Sequence, residues 1–272
     1  MTKLRSSRLK RILGEGKFPA VIKFNLTDPR ITELAGVCGF DAVWLCNEHV
    51  PTDWTTLEHT IRAARLHDMD SLVRVSKGGY SDYIRPLEAG ATGIIVPHVE
   101  SAEEAEKIVE MTRFYPIGKR ALDGGCTDGL YCAVPQDDYL ENSNNEKIIV
   151  LQIESPEGLE QVEKIAAVPG FDGFLFGPGD FSHRIGKAGQ LTAPEVTAAR
   201  QRVAKAARSN GKFAMTSGLF APFEQFVAEG INVFNLGSDV GALQVFFRDR
   251  LKLIQTSVES LPDSAKSSNP YA

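Results

Sequence analysis

The sequence predicts a single-domain (β/α)8 TIM barrel with an N-terminal helix, and three observations carry that expectation. Eight short runs rich in β-branched and aromatic residues alternate with longer helix-like stretches along the 272 residues. The runs are apolar on both faces, as strands of a parallel sheet covered by crossover helices must be. Polar side chains gather at the C-terminal ends of the runs, where barrel enzymes place their chemistry. An open sheet would also use those ends, but eight repeats favour closure.

Taken in order, the opening "MTKLRSSRLKRILGEGK" lacks the apolar core of a secretory signal. It carries no acid among its first thirteen residues, which keeps an organelle transit peptide open. An N-cap at Ser6 or Ser7, with Leu9, Ile12 and Leu13 on one side, reads better as an amphipathic helix. The predicted strands are "PAVIKF", "DAVWL", "SLVRV", "TGIIVP", "KIIVLQIE", "DGFLFG", "KFAMTS" and "INVFNLG". Between them lie "DWTTLEHTIRAARLHD", "SAEEAEKIVEMTRF", "SPEGLEQVEKIAAV" and "TAPEVTAARQRVAKAARSN", with Asp53 and Ser101 as N-caps. Gly211 and Gly230 follow helices as stops. Residues 116–147 read as irregular, and a connection of that length suggests a functional loop or an interface. No linker divides residues 1–255, and the polar tail 256–272 is expected to be loose.

Composition narrows the function classes. The chain is 43% hydrophobic and 24% charged, enough for a sizeable core. A formal charge of −5 argues against nucleic acid and anionic membrane as partners. No apolar run approaches the roughly 18 residues of a membrane span. The four cysteines (Cys38, Cys46, Cys126, Cys132) show neither CxxC nor zinc-type spacing, so free thiols in a reducing cytoplasm are expected.

The candidate chemistry sits at the strand ends. Strand five ends in Gln152 and Glu154, and strand six runs into "GPGDFS" with Asp180. The two acids end successive strands, so they should face each other across one rim. Close carboxylates repel unless a cation neutralises them, and two hard oxygen donors suit Mg²⁺ or Mn²⁺. The alternative is an arginine partner for one acid and a helix cap for the other. Gly177 and Gly179 allow backbone to approach a ligand, or simply form a tight turn. Arg74, between valines in a buried strand, must pair with an acid or act as an anion clamp. His49, where strand two becomes loop, can serve as a base or as a structural histidine. His98 and His183 stand as possible extra ligands, and His59 and His67 as solvated helix residues. No Ser-His-Asp order stands out, and Lys23 is the one strand lysine open to Schiff-base chemistry.

Together "CNEHVP", "VRV", "LEAGATGIIVPHVESAEEAE", "RFYPIGKR", "LQIESPEGLE" and "GFDGFLFGPGDFS" resemble the HpcH/HpaI aldolases, from about residue 5 to about residue 253. The resemblance implies a class II pyruvate aldolase that splits a 4-hydroxy-2-oxoacid into pyruvate and an aldehyde, using Mg²⁺, Mn²⁺ or Co²⁺. It implies Glu154 and Asp180 as metal ligands, with the backbone at Gly179 and Asp180, and Gln152, around the pyruvate carboxylate. Arg74 would stabilise the enolate oxygen and His49 would act as base. Family members are commonly hexamers, so a homo-oligomer (hexamer or trimer) is implied. Oxaloacetate decarboxylation, CoA-thioester cleavage and a non-catalytic oxoacid-binding barrel are the rival readings. Two departures stand out. Cys46 and Asn47 occupy positions where the family often has Asp-Gly. Glu88 aligns with the family's acid that supports the histidine base, yet it precedes strand four at the barrel foot. It would reach a site only from a neighbouring subunit or through an unusual bend.

Overall fold

A computed structural model describes residues 4–260, with side chains to residue 257. Eight strands form one parallel sheet: β1 Ala20–Phe24, β2 Ala42–Cys46, β3 Asp70–Arg74, β4 Gly93–Val96, β5 Ile148–Ile153, β6 Gly173–Phe176, β7 Phe213–Met215 and β8 Phe234–Ser238. Neighbours follow chain order from β1 to β7, and β8 pairs with β1. A parallel bridge between Met215 and Val233 closes the ring. Every predicted strand is present.

Side chains alternate along each strand. Val21, Trp44, Leu72, Ile95, Val150 and Leu175 fill the barrel interior. Val43, Val73, Ile94, Leu151 and Phe174 face outward and pack under the helices. The same alternation carries the next inward positions to the mouth: Lys23 two residues past Val21, Cys46 past Trp44, Arg74 past Leu72 and Gln152 past Val150. Polar residues at those positions are therefore aimed at one another.

The foot is closed differently. Helix Arg8–Gly14, N-capped by Ser7, inserts Leu9 into the interior cluster. Buried Asp70 accepts from the Leu9 N–H at 2.8 Å and the Ser7 hydroxyl at 2.6 Å, and pairs with Arg5 at 2.7 Å. The expected helix is thus a plug, and the open end is the carboxyl end of the strands. Asp53 and Ser101 cap helices Trp54–Leu66 and Ala102–Thr112, and Gly230 ends helix Phe223–Glu229 in the left-handed conformation.

The expectation of an irregular 116–147 is corrected. Residues Gln136–Glu146 form a helix, preceded by a short 3-10 turn at Thr127–Cys132. "QDDYLENSNNE" has no apolar stripe because the helix buries little beyond Tyr139 and Ser143. At the other end of the chain, helix Asp239–Ser260 carries the fold five residues into the expected tail, whose remainder lies outside the described residues. This last helix leaves Val245, Phe246, Phe247, Leu251, Leu253 and Ile254 each more than half exposed. No helix among the described residues is long and apolar enough to cross a membrane, and all four cysteines are free.

Candidate active site

Glu154 follows β5 directly and is 1% exposed. Gln152, two positions back on the same inward face, donates its side-chain amide to Glu154 Oε2. The other oxygen accepts the backbone N–H of His98 at 2.9 Å. Burial pushes the Glu154 carboxyl up to about 7, His98 pulls it down, and the nearby Asp180 charge pushes it up again. Asp180 lies in the first turn of helix Pro178–Arg184, is exposed, and among the described residues its side chain makes no hydrogen bond or ion pair. Among the same residues neither acid is tied to an arginine. Gly177 is required here, because a Cβ would lie 2.7 Å from both Cβ and Oε2 of Glu154.

A chain of charges runs from Glu154 along the rim. The His98 ring approaches Glu154 through Nδ1 at 3.0 Å and Glu48 through Nε2 at 3.2 Å. Glu48 in turn meets Arg74 Nε at 2.9 Å and His49 Nε2 at 3.5 Å. Arg74 also donates to Cys46 Sγ at 3.1 Å and lies over the Trp44 ring. His98 adopts φ +54, an uncommon backbone for a residue with a Cβ, and strain of that kind clusters at functional sites.

Several of these contacts are close without being aligned. Glu48 Oε2 and Arg74 Nε face each other, and His98 Nδ1 faces Glu154, as ion-pair contacts outside hydrogen-bond alignment. Buried polar groups are normally satisfied, so Gln152 Oε1, buried and without a partner among the described residues, marks where a polar ligand would add a contact. Glu154 and Asp180 present carboxylate oxygens of the kind that could hold a cation. Among the described residues no group of three or more His, Cys, Asp or Glu is arranged for a metal ion, so further positions around such a cation fall to water or substrate.

The structure therefore gathers Glu154, Asp180, Gln152, Gly179, Arg74 and His49 at the mouth. It does not bring Glu88 there within one chain. Glu88 ends helix Tyr80–Glu88 at the foot, 4.0 Å from Arg120, which pairs with Asp128 at 2.7 Å. It lines a groove with Trp54, Arg85, Cys126 and Tyr131. His183 is exposed in the last turn of its helix and joins nothing at the mouth. Glu48 was missed as a site residue, although its place at the end of β2 signals it. His98 appeared only as a possible ligand, and its bridging position depends on a backbone conformation that composition does not reveal.

A family model for HpcH/HpaI aldolase/citrate lyase matches residues 21–244. The 5-keto-4-deoxy-D-glucarate aldolase of Klebsiella pneumoniae subsp. pneumoniae is 35% identical over 223 residues, covering 80% of this chain and 85% of that protein. Among solved structures, an HpcH/HpaI aldolase from Desulfitobacterium hafniense DCB-2 superposes with TM-score 0.86 at 28% identity, covering 94% of this chain and 98% of the other. The citrate synthase SbnG superposes with TM-score 0.84 at 31% identity, covering 93% and 99%.

Proposed function

Because the chain belongs to the HpcH/HpaI aldolase/citrate lyase family, we propose that it is a carbon–carbon lyase that reversibly cleaves a 4-hydroxy-2-oxoacid to pyruvate and an aldehyde. One observation carries the reading: a fully buried glutamate, paired with His98 and with no arginine, beside an aspartate whose side chain has no hydrogen bond or ion pair among the described residues. Both are hard oxygen donors, and a divalent cation held by them would offset the burial, and the smaller Asp180 repulsion, that raise Glu154. When bound there, Mg²⁺, Mn²⁺ or Co²⁺ supplies positive charge to the keto and carboxylate oxygens of a 2-oxoacid.

The chain's own residues supply the rest. The free backbone N–H groups of Gly179 and Asp180, in the first turn of their helix, receive the pyruvate carboxylate. Gln152 holds Glu154 in place and offers its unpartnered carbonyl oxygen. Arg74, anchored by Glu48, stabilises the negative charge that develops on the enolate oxygen as the C3–C4 bond breaks. His49, exposed on the loop after β2, accepts the proton of the C4 hydroxyl. Glu88 meets a mouth only from a neighbouring subunit, so its role in supporting the histidine base belongs to a homo-oligomer. The apolar side chains exposed on helix Asp239–Ser260 support such an assembly.

The test is pyruvate C3 proton exchange in buffered D₂O with Mg²⁺, Mn²⁺ or Co²⁺, followed by aldehyde-dependent consumption of pyruvate. Exchange and consumption are both expected, and protein that does neither with any of the three ions sinks the proposal. Calorimetry on Glu154→Ala and Asp180→Ala should show weakened ion binding. The likeness to citrate synthase SbnG supports a second reading, condensation or cleavage of a CoA thioester by the same residues. Turnover of acetyl-CoA with oxaloacetate, in place of aldehyde-dependent pyruvate consumption, would favour it.

A further inference from the structure

The ring of His98 lies between Glu154 and Glu48, and the reaction proposed above gives it no task. Nδ1 stands 3.0 Å from Glu154 Oε1, and Nε2 stands 3.2 Å from Glu48 Oε1. The same Glu154 oxygen accepts the His98 backbone N–H at 2.9 Å. A single residue thus meets the buried carboxylate with its backbone and its ring, and reaches another carboxylate with the far edge of that ring.

The local chain is built to aim the ring. A backbone at φ +54 is costly for a residue with a Cβ, and persists only where neighbours over-determine it. Here Glu154 takes the His98 N–H, Lys77 Nζ donates to the His98 carbonyl at 2.6 Å, and the Val99 N–H donates to the Gln152 carbonyl at 3.1 Å. Lys77 is itself paired with Glu104 at 2.9 Å.

Glu154 keeps the His98 N–H whatever side chain stands at 98, and Gln152 holds its other oxygen. Glu48 has no such reserve. It stands in the bend after β2, where Oε2 meets Arg74 Nε at 2.9 Å and His49 Nε2 at 3.5 Å. Among the described residues Oε1 of Glu48 meets no partner but the His98 ring. Without the ring, the carboxylate that locates Arg74 is held on one side only. A displacement of about 1 Å at a catalytic group can cost about 10²-fold. Resting on the lyase reading above, we propose that His98 is a positioning residue: braced on Glu154, it fixes Glu48, and through Glu48 it holds Arg74 where charge develops on the enolate oxygen.

The experiment measures pyruvate C3 exchange at saturating Mn²⁺, and Mn²⁺ affinity by calorimetry, on the same variants. His98→Gly removes the ring and accepts the left-handed backbone. It should lose about 10- to 100-fold in kcat with KM for pyruvate nearly unchanged, the range for losing a group that orients a site side chain. In His98→Asn the amide nitrogen takes the place of Nδ1, which serves Glu154 but not Glu48, so kcat should stay low. In His98→Gln it takes the place of Nε2, which serves Glu48, so most of kcat should return. Mn²⁺ affinity should stay within about 10-fold of wild type in His98→Gly and His98→Asn, because the backbone N–H and Gln152 still hold Glu154. In a Glu48→Ala background His98→Gly should cost less than about 3-fold more, since its route to Arg74 is gone. Wild-type kcat in His98→Gly, recovery of kcat in His98→Asn, a folded His98→Gln without recovery, or a full further loss on Glu48→Ala each overturns the proposal. A loss of Mn²⁺ affinity beyond about 100-fold in His98→Gly would make the ring an ion ligand and overturn it too. Gly and Asn both tolerate φ +54, so they decide the matter even where His98→Gln fails to fold. Exchange by the wild type separates the two levels. Its absence defeats the lyase reading and this inference together, whereas exchange that His98→Gly leaves unchanged defeats this inference alone.

Discussion

Glu154 shows how one residue can be legible and still hold a surprise. Its place after an apolar strand marks it as a buried carboxylate with a purpose, and Gln152 and Asp180 follow from the same spacing. The contacts of His98 and Glu48 are a different matter, because they depend on loop backbone and on which rim neighbours happen to touch. Burial lifts the Glu154 carboxyl from 4.5 to about 7, so the folded, ion-free protein keeps a proton that the unfolded chain has lost. The stability from this group is fully present below about pH 4.5 and is lost as pH rises through about 7. Melting of the ion-free wild type should therefore weaken across that window more than melting of Glu154→Gln, by at most on the order of 3 kcal/mol. Parallel pH profiles would show that Glu154 is solvated after all. At the other end of the charged chain, Arg74→Ala should lower kcat by about 10²–10³, the range for one lost oxyanion donor. Steady-state rates close to wild type would remove Arg74 from the chemistry.

The elements divide by how much apolar surface each one hides. Strands β2 to β7 were readable because both faces are buried, which leaves a continuous apolar run in the sequence, and β1 and β8 kept enough of that run to be read despite half-buried and exposed positions. Helix Gln136–Glu146 was not, since it buries little and its composition is that of a loop. The N-terminal helix was readable from its cap and its leucines, but its role as a plug was hidden, because Asp70, which receives it, is distant in sequence. Asp70→Ala strands the Arg5 guanidinium and the helix N–H groups, and should cost about 3–5 kcal/mol in urea unfolding. The kinetic constants should stay at wild-type values, since the plug and the mouth lie at opposite ends. A loss below about 1 kcal/mol would mean that the plug contributes little.

For the whole molecule, the barrel itself was legible and its assembly was not. Periodicity marks apolar positions without saying whether the surface that covers them belongs to the same chain. Helix Asp239–Ser260 exposes Phe247 at 62% and Leu251 at 57%. The double variant Phe247→Glu, Leu251→Glu should shift an oligomeric wild type to monomer in light scattering, and should lose activity if Glu88 serves a neighbour's mouth. A monomeric wild type would remove both the assembly and the Glu88 role. Trp44 carries a practical consequence. The chain has two tryptophans; Trp44 is 2% exposed beneath the Lys23 and Arg74 charges, while Trp54 lies 37% exposed on the outer wall. A Trp54→Phe protein would keep a single emitter, and quenching or brightening of its fluorescence would report each arrival at the mouth in real time, without any label.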